Sequence, residues 1–192
     1  MEGYIKDIIT NTPVGNATVR ILEWHPGILW GAPYSVDKDS CKTDQAGHYS
    51  ISDYARTKYD YTLKVTGLKY FEDEGYPLTV NSSNRINIVL FPHGYIKTHI
   101  INKIDTAKFI EVLFSPYYAS EEIFRAGFIN TFVLSPAYSD TTIVTTTVGA
   151  VQTRLKIQIY PTNYVPDVKV VVDTNIVTRR HDTLYLDRII LR

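Results

Sequence analysis

Hydrophobic and polar residues alternate along much of the first half of the chain, and this alternation predicts β-strands. Ala17, Val19 and Ile21 fall on one face of such a segment, with polar residues between them. Tyr61–Val65 and Ile86–Leu90 repeat the pattern. A period of two with one apolar face is typical of half-buried strands in antiparallel sheets. Turn-forming residues separate the segments, at Asn11–Pro13, Asp44–Gly47 and Asn81–Asn84.

The second half of the chain carries the same signal in further segments. The predicted strands are Tyr95–Ile101, Lys108–Phe114, Gly127–Leu134, Thr141–Val148, Gln152–Tyr160, Val168–Asp173 and Thr183–Leu191. About seven strands within ~100 residues are typical of a β-sandwich. Ser120–Arg125 is the one helical candidate, with Ser120 as a possible N-cap and two glutamates near the positive end of the helix dipole.

A domain boundary is predicted at Phe91–Gly94, where proline and glycine follow a complete strand. The chain is therefore expected to be all-β, with two tandem antiparallel β-sandwiches over residues 1–92 and 93–192. We expect the second sandwich to be immunoglobulin-like or related, and its family is unassigned.

Composition narrows the possible partners. The chain has 192 residues, 44% of them hydrophobic, which is enough to form a core. Its 20 basic and 20 acidic residues give zero formal net charge without a basic stripe, so nucleic acid is not expected as a partner. Cys41 is the single cysteine and cannot form an intrachain disulfide. No run reaches the ~18 apolar residues of a membrane helix. Met1 is followed directly by a strand-like segment, and we expect an exported protein whose signal has been removed.

The stretch Thr43–Ile51 is the most informative part of the sequence. Asp44 can accept hydrogen bonds from backbone amides two residues on, and Gly47 can adopt the positive φ that closes a tight hairpin. Tyr49 and Ile51 would then point to one face of the following strand.

This turn belongs to an ordered set of motifs that resembles the carboxypeptidase regulatory-like domain family over roughly residues 1–92. The other motifs are Gly3–Asp7, Thr12–Val14, Ala17–Ile21, Tyr61–Val65, Tyr70 and Asn84–Leu90. The resemblance implies a transthyretin-like (prealbumin-like) sandwich and an accessory domain without catalytic residues. It also implies an exported lipoprotein of the Gram-negative kind, in which another sandwich often follows. Residues 24–40 depart from the family pattern, because many members have a short connection there.

Both tryptophans of the chain lie in the segment Trp24–Tyr34, which its prolines and glycines predict to be a loop or an irregular edge. Loops on a rigid sandwich often carry binding surfaces, and exposed rings can stack on sugars or on partner side chains. Trp24, Trp30 and Tyr34 are therefore the candidate ligand-binding residues. The favoured alternative is that the tryptophans fold back and cap the core, because an isolated aromatic loop usually packs on its own domain.

Metal-binding signals are weak. Asp37, Asp39 and Asp44 could offer oxygen ligands to a hard cation, but their spacing is not that of a calcium loop, and a solvated turn is favoured. The histidines are scattered without zinc-binding spacing, at His25, His48, His93, His99 and His181.

Catalytic signals are equally weak. Cys41 has no evident base, and the adjacent Glu121 and Glu122 diverge too far to form an acid/base pair. Neither a nucleophile elbow nor a Walker A loop occurs. We therefore predict no catalytic residue, no bound metal and no cofactor.

Thr141–Val148 is uncharged and strongly β-forming, and it allows two interpretations. It could be an edge strand that accepts a partner strand by β-augmentation. A central strand with its hydrogen bonds already satisfied is favoured, because β-branched runs mostly mark paired strands. Ser115–Tyr118 is a further aromatic candidate, with the same capping alternative as the tryptophans.

Together these observations predict a non-enzymatic adhesion, scaffolding or ligand-binding protein of the cell surface, outer membrane or periplasm. The expected partner is a protein or a glycan, and membrane association would need a lipid anchor on a residue outside this sequence. Carbohydrate capture by residues 24–34 is the leading alternative. An enzyme is third, and its site would lie at the interdomain cleft around His93 and His99.

Overall fold

The computed structural model describes residues 1–27, 31–52, 56–104, 109–116, 130–134, 140–160 and 168–191. These residues form strands β1 to β15 and contain no helix, so the protein is all-β. No membrane-spanning helix occurs in the described part of the chain. The predicted helix Ser120–Arg125 lies outside it. The chain divides into two compact units, Met1–Pro92 and His93–Arg192.

The first unit is built from seven strands: β1 Glu2–Asp7, β2 Thr18–His25, β3 Tyr34–Lys42, β4 His48–Ser50, β5 Asp60–Thr66, β6 Asp73–Leu78 and β7 Ile88–Leu90. They form one sheet in the order β4-β1-β7 and another in the order β3-β2-β5-β6. All pairs are antiparallel except β1 with β7. Ile5 and Ile88 of the first sheet share one core with Val19 and Leu63 of the second, so the two sheets form a sandwich.

The turn predicted within Thr43–Ile51 connects β3 and β4. Asp44 Oδ1 accepts a hydrogen bond of 2.8 Å from the His48 N–H, so the aspartate reaches four residues on rather than two. Gly47 has φ of 73°, and a Cβ there would lie 2.4 Å from the Ile5 carbonyl oxygen. A side chain therefore fits neither the backbone conformation nor the space. Tyr49 and Ile51, which were predicted to share one face of the following strand, are both buried.

The second unit is built from eight strands: β8 His93–Asn102, β9 Phe109–Pro116, β10 Asn130–Leu134, β11 Asp140–Val148, β12 Gln152–Tyr160, β13 Lys169–Val177, β14 Thr183–Tyr185 and β15 Ile189–Leu191. One sheet has the order β10-β9-β12-β13. The other has the order β11-β8-β14, with β15 also paired to β8. β14 and β15 run parallel to β8, and the remaining pairs are antiparallel. Ile96 and Ile100 of one sheet pack in one core with Val112 and Ile157 of the other.

Two predictions for the first unit are wrong in part. The segment Trp24–Tyr34 is not a loop at its ends, because β2 extends to His25 and β3 begins at Tyr34. Asp37 and Asp39 lie in β3 rather than in a turn, because they pair with residues of β2 across an antiparallel ladder.

Two predictions for the second unit are also corrected. Thr183–Leu191 forms two short strands, because the second pairs one residue earlier on β8 than a continuous register with the first would place it. Thr141–Val148 belongs to β11, which stands at the end of its sheet among the described residues rather than in the centre. Sheet order depends on the whole fold, and β-propensity alone does not reveal it.

Candidate functional site

A buried carboxylate lies near the end of β2. Glu23 follows the inward-facing Ile21 by two residues, and it is 6% exposed. The antiparallel pairing of β2 with β5 places Tyr61 directly opposite Glu23. The Tyr61 hydroxyl donates a hydrogen bond of 2.6 Å to Glu23 Oε2 and accepts one of 2.9 Å from the Arg56 N–H. Burial, followed by the hydrogen bond to Glu23, raises the pKa of Tyr61, so the phenol remains a donor.

The side chains of His25 and Lys38 also contact this carboxylate. We call the four residues Glu23, His25, Lys38 and Tyr61 the Glu23 network. His25 Nε2 lies 2.9 Å from Glu23 Oε1, and Lys38 Nζ lies 3.6 Å from Glu23 Oε2. Lys38 is the extra residue of a β-bulge in β3 and has no partner residue on β2. The hydrogen bond from Tyr61, assisted by Lys38 and His25, holds the pKa of Glu23 below its ordinary value although burial opposes this. The carboxylate is thus a satisfied structural anion and a poor general base.

Beside the network lies a group of three rings that we call the ring platform: His25, Tyr34 and Tyr59. Tyr34 pairs with His25 across β2 and β3, and the two rings stack with centroids 5.0 Å apart and planes at 8°. The Tyr59 ring meets His25 at 4.3 Å and 44°, and the Lys58 ammonium lies 4.6 Å from the Tyr59 centroid. The Tyr34 side chain is half-exposed, at 49%. The platform can therefore offer a flat, apolar surface to a ligand.

The structure separates two of the three predicted ligand-binding residues. Trp24 lies between Glu23 and His25, so its side chain points to the opposite face of the sheet. There its indole N–H donates a hydrogen bond of 2.8 Å to Thr62 Oγ1, and the ring is half-buried. Tyr34 lies on the other face, in the ring platform. Trp30 lies outside the described residues, as do Tyr117 and Tyr118.

A pocket of about 330 Å³ opens beside Tyr61, at the low end of the range for small-molecule sites. Its wall is apolar where it includes Ile21 and Leu78, and its rim is the polar turn at 79–84. No Asp, Glu, His, Lys or Arg side chain lines the pocket in the described part of the chain. The pocket therefore offers shape and hydrogen bonding but little acid/base chemistry.

The histidines proposed for an enzymatic site do not come together. His93 and His99 lie six residues apart on the single strand β8, which separates them by ~20 Å. Burial, and then the nearby His181, lowers the pKa of His93. His99 Nδ1 lies 3.1 Å from Thr142 Oγ1 on the neighbouring strand. Two groups so far apart cannot act on one reacting bond.

Metal and thiol chemistry find little support among the described residues. They contain no group of three or more His, Cys, Asp or Glu side chains that could hold a metal ion. Cys41 is half-buried against the first core, and burial is the main reason that its pKa is raised. A thiol with a raised pKa is a weak nucleophile at neutral pH.

Sequence reasoning missed the Glu23 network. A usable signal was present, because Glu23 continues the inward-facing series Ala17, Val19 and Ile21. A charged residue at such a position requires partners. The residues that supply these partners are set by the pairing of β2 with β3 and β5, and this pairing cannot be predicted from the local sequence around Glu23.

Comparison with known proteins gives only distant similarities. No protein-family model matches the chain, and no curated protein matches it. Among solved structures, it is similar to a leucine-rich repeat protein from Bacteroides thetaiotaomicron, with 8% identity and a TM-score of 0.32 over 100% of this chain and 26% of the other. It is also similar to the Bacillus anthracis TIE protein, with 14% identity and a TM-score of 0.36 over 100% and 33% of the two chains. A mutant of the shaft pilin SpaA from Lactobacillus rhamnosus GG gives 7% identity and a TM-score of 0.31 over 98% and 94%.

The chain thus spans between a quarter and a third of the length of the first two structures. At these identities and TM-scores, the likeness assigns neither a family nor a function. The resemblance of residues 1–92 to the carboxypeptidase regulatory-like family stays a prediction.

Proposed function

We propose that this chain is an exported, non-enzymatic adhesion or binding module that contacts its ligand through the ring platform. The observation that carries the proposal is the half-exposed ring of Tyr34 stacked on His25. Tyrosine combines a large contact area with little side-chain entropy, and it is enriched among residues that dominate binding energy. The β2–β3 ladder places Tyr34 opposite His25, and the contact of His25 Nε2 with Glu23 Oε1 holds the histidine ring.

The same groups favour binding over catalysis. The Glu23 carboxylate is engaged by Tyr61, Lys38 and His25, so it has little capacity to accept a proton from a substrate. The neighbouring pocket lacks acidic and basic side chains in its described lining. A surface of this kind contributes shape, stacking and hydrogen bonds.

Export is proposed from the resemblance of residues 1–92 to accessory domains of exported lipoproteins. The expected location is the cell surface, the outer membrane or the periplasm.

Carbohydrate capture is a second candidate, and the exposure of the Tyr34 ring favours it. His25 stacks against Tyr34, and an exposed aromatic ring held in this way suits the apolar face of a sugar. The nearby Lys58 and Lys38 ammonium groups could donate hydrogen bonds to sugar hydroxyls or carboxylates.

The test compares two tyrosines that each contact a histidine ring. Beads carrying the purified chain are applied to a glycan array and to a panel of immobilised surface proteins that includes mucin, collagen and fibrinogen. We expect Tyr34→Ala to weaken binding by at least about tenfold, the equivalent of ~1.4 kcal/mol. Tyr4→Ala is the matched control, because Tyr4 is 38% exposed and its ring lies 5.1 Å from His48.

Binding to glycans alone would support the carbohydrate candidate, and binding to proteins would support adhesion through a protein partner. The proposal fails if no probe binds the wild-type chain, or if Tyr34→Ala binds as tightly as Tyr4→Ala.

A further inference from the structure

β11 is a long edge strand in the second unit. Asp140–Val148 pairs with β8 over its whole length, residue by residue and without a register shift. In the described part of the chain, no strand pairs with its other side. Its sequence contains no lysine, arginine, proline or glycine.

The register shows which backbone groups of β11 face this open side. On β8, the Tyr95 N–H donates to the Asp182 carbonyl and the Lys97 carbonyl accepts from the Leu186 N–H, both at 2.9 Å. Residues at odd positions of β8 thus bond toward β14, and those at even positions bond toward β11. The β11 residues opposite the odd positions therefore direct their N–H and C=O groups away from β8. They are Asp140, Thr142, Val144, Thr146 and Val148.

One outward carbonyl already has a partner. The side-chain amide of Asn130 donates a hydrogen bond of 2.6 Å to the Thr146 carbonyl oxygen. This bond agrees with the direction deduced from the register, and it occupies a carbonyl in the second half of the edge. Among the described residues, no hydrogen bond reaches the outward backbone groups of Asp140–Val144, and the Val144 side chain is 61% exposed.

The longer edge strands elsewhere in the chain carry features that oppose strand addition. β3 has a bulge at Lys38. β6 has a bulge at Gly75 and a proline at Pro77. β13 begins with Lys169 and has a bulge at Val171. Bulges, prolines and lysines are the usual means of blocking edge-to-edge pairing. β11 has none of them, so in the described part of the chain nothing on this edge opposes a further strand.

We propose that Asp140–Val144 pairs antiparallel with the same segment of a second copy of the chain. In the register that we propose, the two Thr142 residues face each other on a two-fold axis, and Asp140 faces Val144 of the second copy. The Thr142 pair and the two pairs of Asp140 with Val144 then direct their backbone groups toward one another, so these pairs are of the hydrogen-bonded type. This surface lies in the second unit and is independent of the ring platform.

Charge and side-chain chemistry favour this register. No like charges stand opposite each other, because Asp140 faces an apolar valine. Lys97 is the β8 partner of Val144, so Lys97 of the second copy lies one strand beyond, with charge opposite to that of Asp140. Paired threonines on one face can also hydrogen-bond. A register centred on Val144 would instead require the Thr146 carbonyl that Asn130 already occupies.

The experiment is sedimentation equilibrium of the full chain over a wide concentration range, with three variants. Thr142→Lys places two ammonium groups face to face on the axis and should weaken dimerisation at least about tenfold. Val144→Lys places the same charge opposite Asp140 of the second copy and should leave the dimer as tight or tighter. Val144→Pro removes one outward N–H without touching the β8 ladder, and it should abolish the dimer. Circular dichroism confirms that each variant is folded.

A wild-type chain that stays monomeric at every concentration overturns the proposal. The proposal is also overturned if such a monomeric chain binds an extended segment of another protein instead. A dimer that Thr142→Lys and Val144→Lys weaken equally overturns the register. A dimer that Thr142→Lys and Val144→Pro both leave unchanged must form through another surface, and that result also overturns the proposal.

Discussion

Thr147 of β11 and Thr153 of β12 form a hydrogen bond inside the second unit. Both residues are 0% exposed, and their Oγ1 atoms lie 2.8 Å apart. Since β11 and β12 belong to different sheets, this bond joins the two layers of the sandwich. Replacing either threonine with valine keeps the branched shape but leaves the other hydroxyl buried without its partner.

The expected changes in the free energy of unfolding depend on whether one hydroxyl of the pair is removed or both. Each single substitution should lower the free energy of unfolding by about 1–3 kcal/mol, the cost of a buried polar group that loses its hydrogen bond. The double variant, Thr147→Val with Thr153→Val, removes both hydroxyls and should lose at most about 1 kcal/mol. The double-mutant cycle should therefore show a coupling of about 1–3 kcal/mol.

Urea unfolding measures these values, and the distribution of tryptophans separates the two units. Both tryptophans, Trp24 and Trp30, lie in the first unit, so their fluorescence follows that unit alone. Far-UV circular dichroism follows both units. An unfolding transition that appears in circular dichroism but not in fluorescence therefore belongs to the second unit. Thr98→Val is the matched control, because Thr98 is 1% exposed and its hydroxyl has no hydrogen-bond partner among the described residues. This substitution should be neutral or stabilising.

Neutral single substitutions would contradict the reasoning, and so would a double variant that loses the sum of the two single effects. A Thr98→Val variant destabilised as strongly as Thr147→Val would show that the hydroxyl pair is not the cause.

Two further predictions concern the first unit. The lowered pKa of Glu23 means that the folded state binds fewer protons than the unfolded state near the ordinary glutamate value of 4.5. The resulting stability is present above that value and is lost as the pH falls through the lower folded pKa. Glu23→Gln should therefore show a smaller loss of stability between pH 7 and pH 3 than the wild type, measured by urea unfolding with tryptophan fluorescence; equal losses would refute this. Gly47→Ala should destabilise the same unit by at least about 1–2 kcal/mol, because φ is 73° and the new Cβ would lie 2.4 Å from the Ile5 carbonyl oxygen. Gly75→Ala is the control, because φ there is also positive, at 99°, but a Cβ would meet nothing within 4 Å. It should lower the free energy of unfolding by less than Gly47→Ala does, and an equal loss would exclude the steric explanation.

Strands with a strict alternation were predictable from local sequence. Gln152–Tyr160 has the predicted bounds, and Tyr61–Val65 lies within β5. In each strand one face is buried and the other meets solvent, so apolar and polar residues alternate along the sequence. β3 and β6 were missed, because they are edge strands in which no side chain is fully buried. When neither face of a strand is buried, neither face requires apolar residues, and the sequence shows no alternation of apolar and polar positions.

The candidate site was predictable only in part. Tyr34 was identified from its loop-like, aromatic surroundings, and the structure places it in the ring platform. Its partners are His25 from β2 and Tyr59 from the turn before β5, and no local pattern joins them. Trp24 was grouped with Tyr34, although adjacent strand positions direct Trp24 to the opposite face.

The sequence by itself determined the all-β character, the hairpin turn around Asp44 and Gly47, and the inward-facing residues of most strands, because these depend on neighbours within a few residues. Tertiary structure decided which strands pair and which stand at an edge. It alone brought Tyr61 and Lys38 to the Glu23 carboxylate, and it alone left one side of β11 without a partner strand in the described part of the chain. Pairing between segments distant in sequence is set by the burial of whole sheet faces, which no single segment encodes.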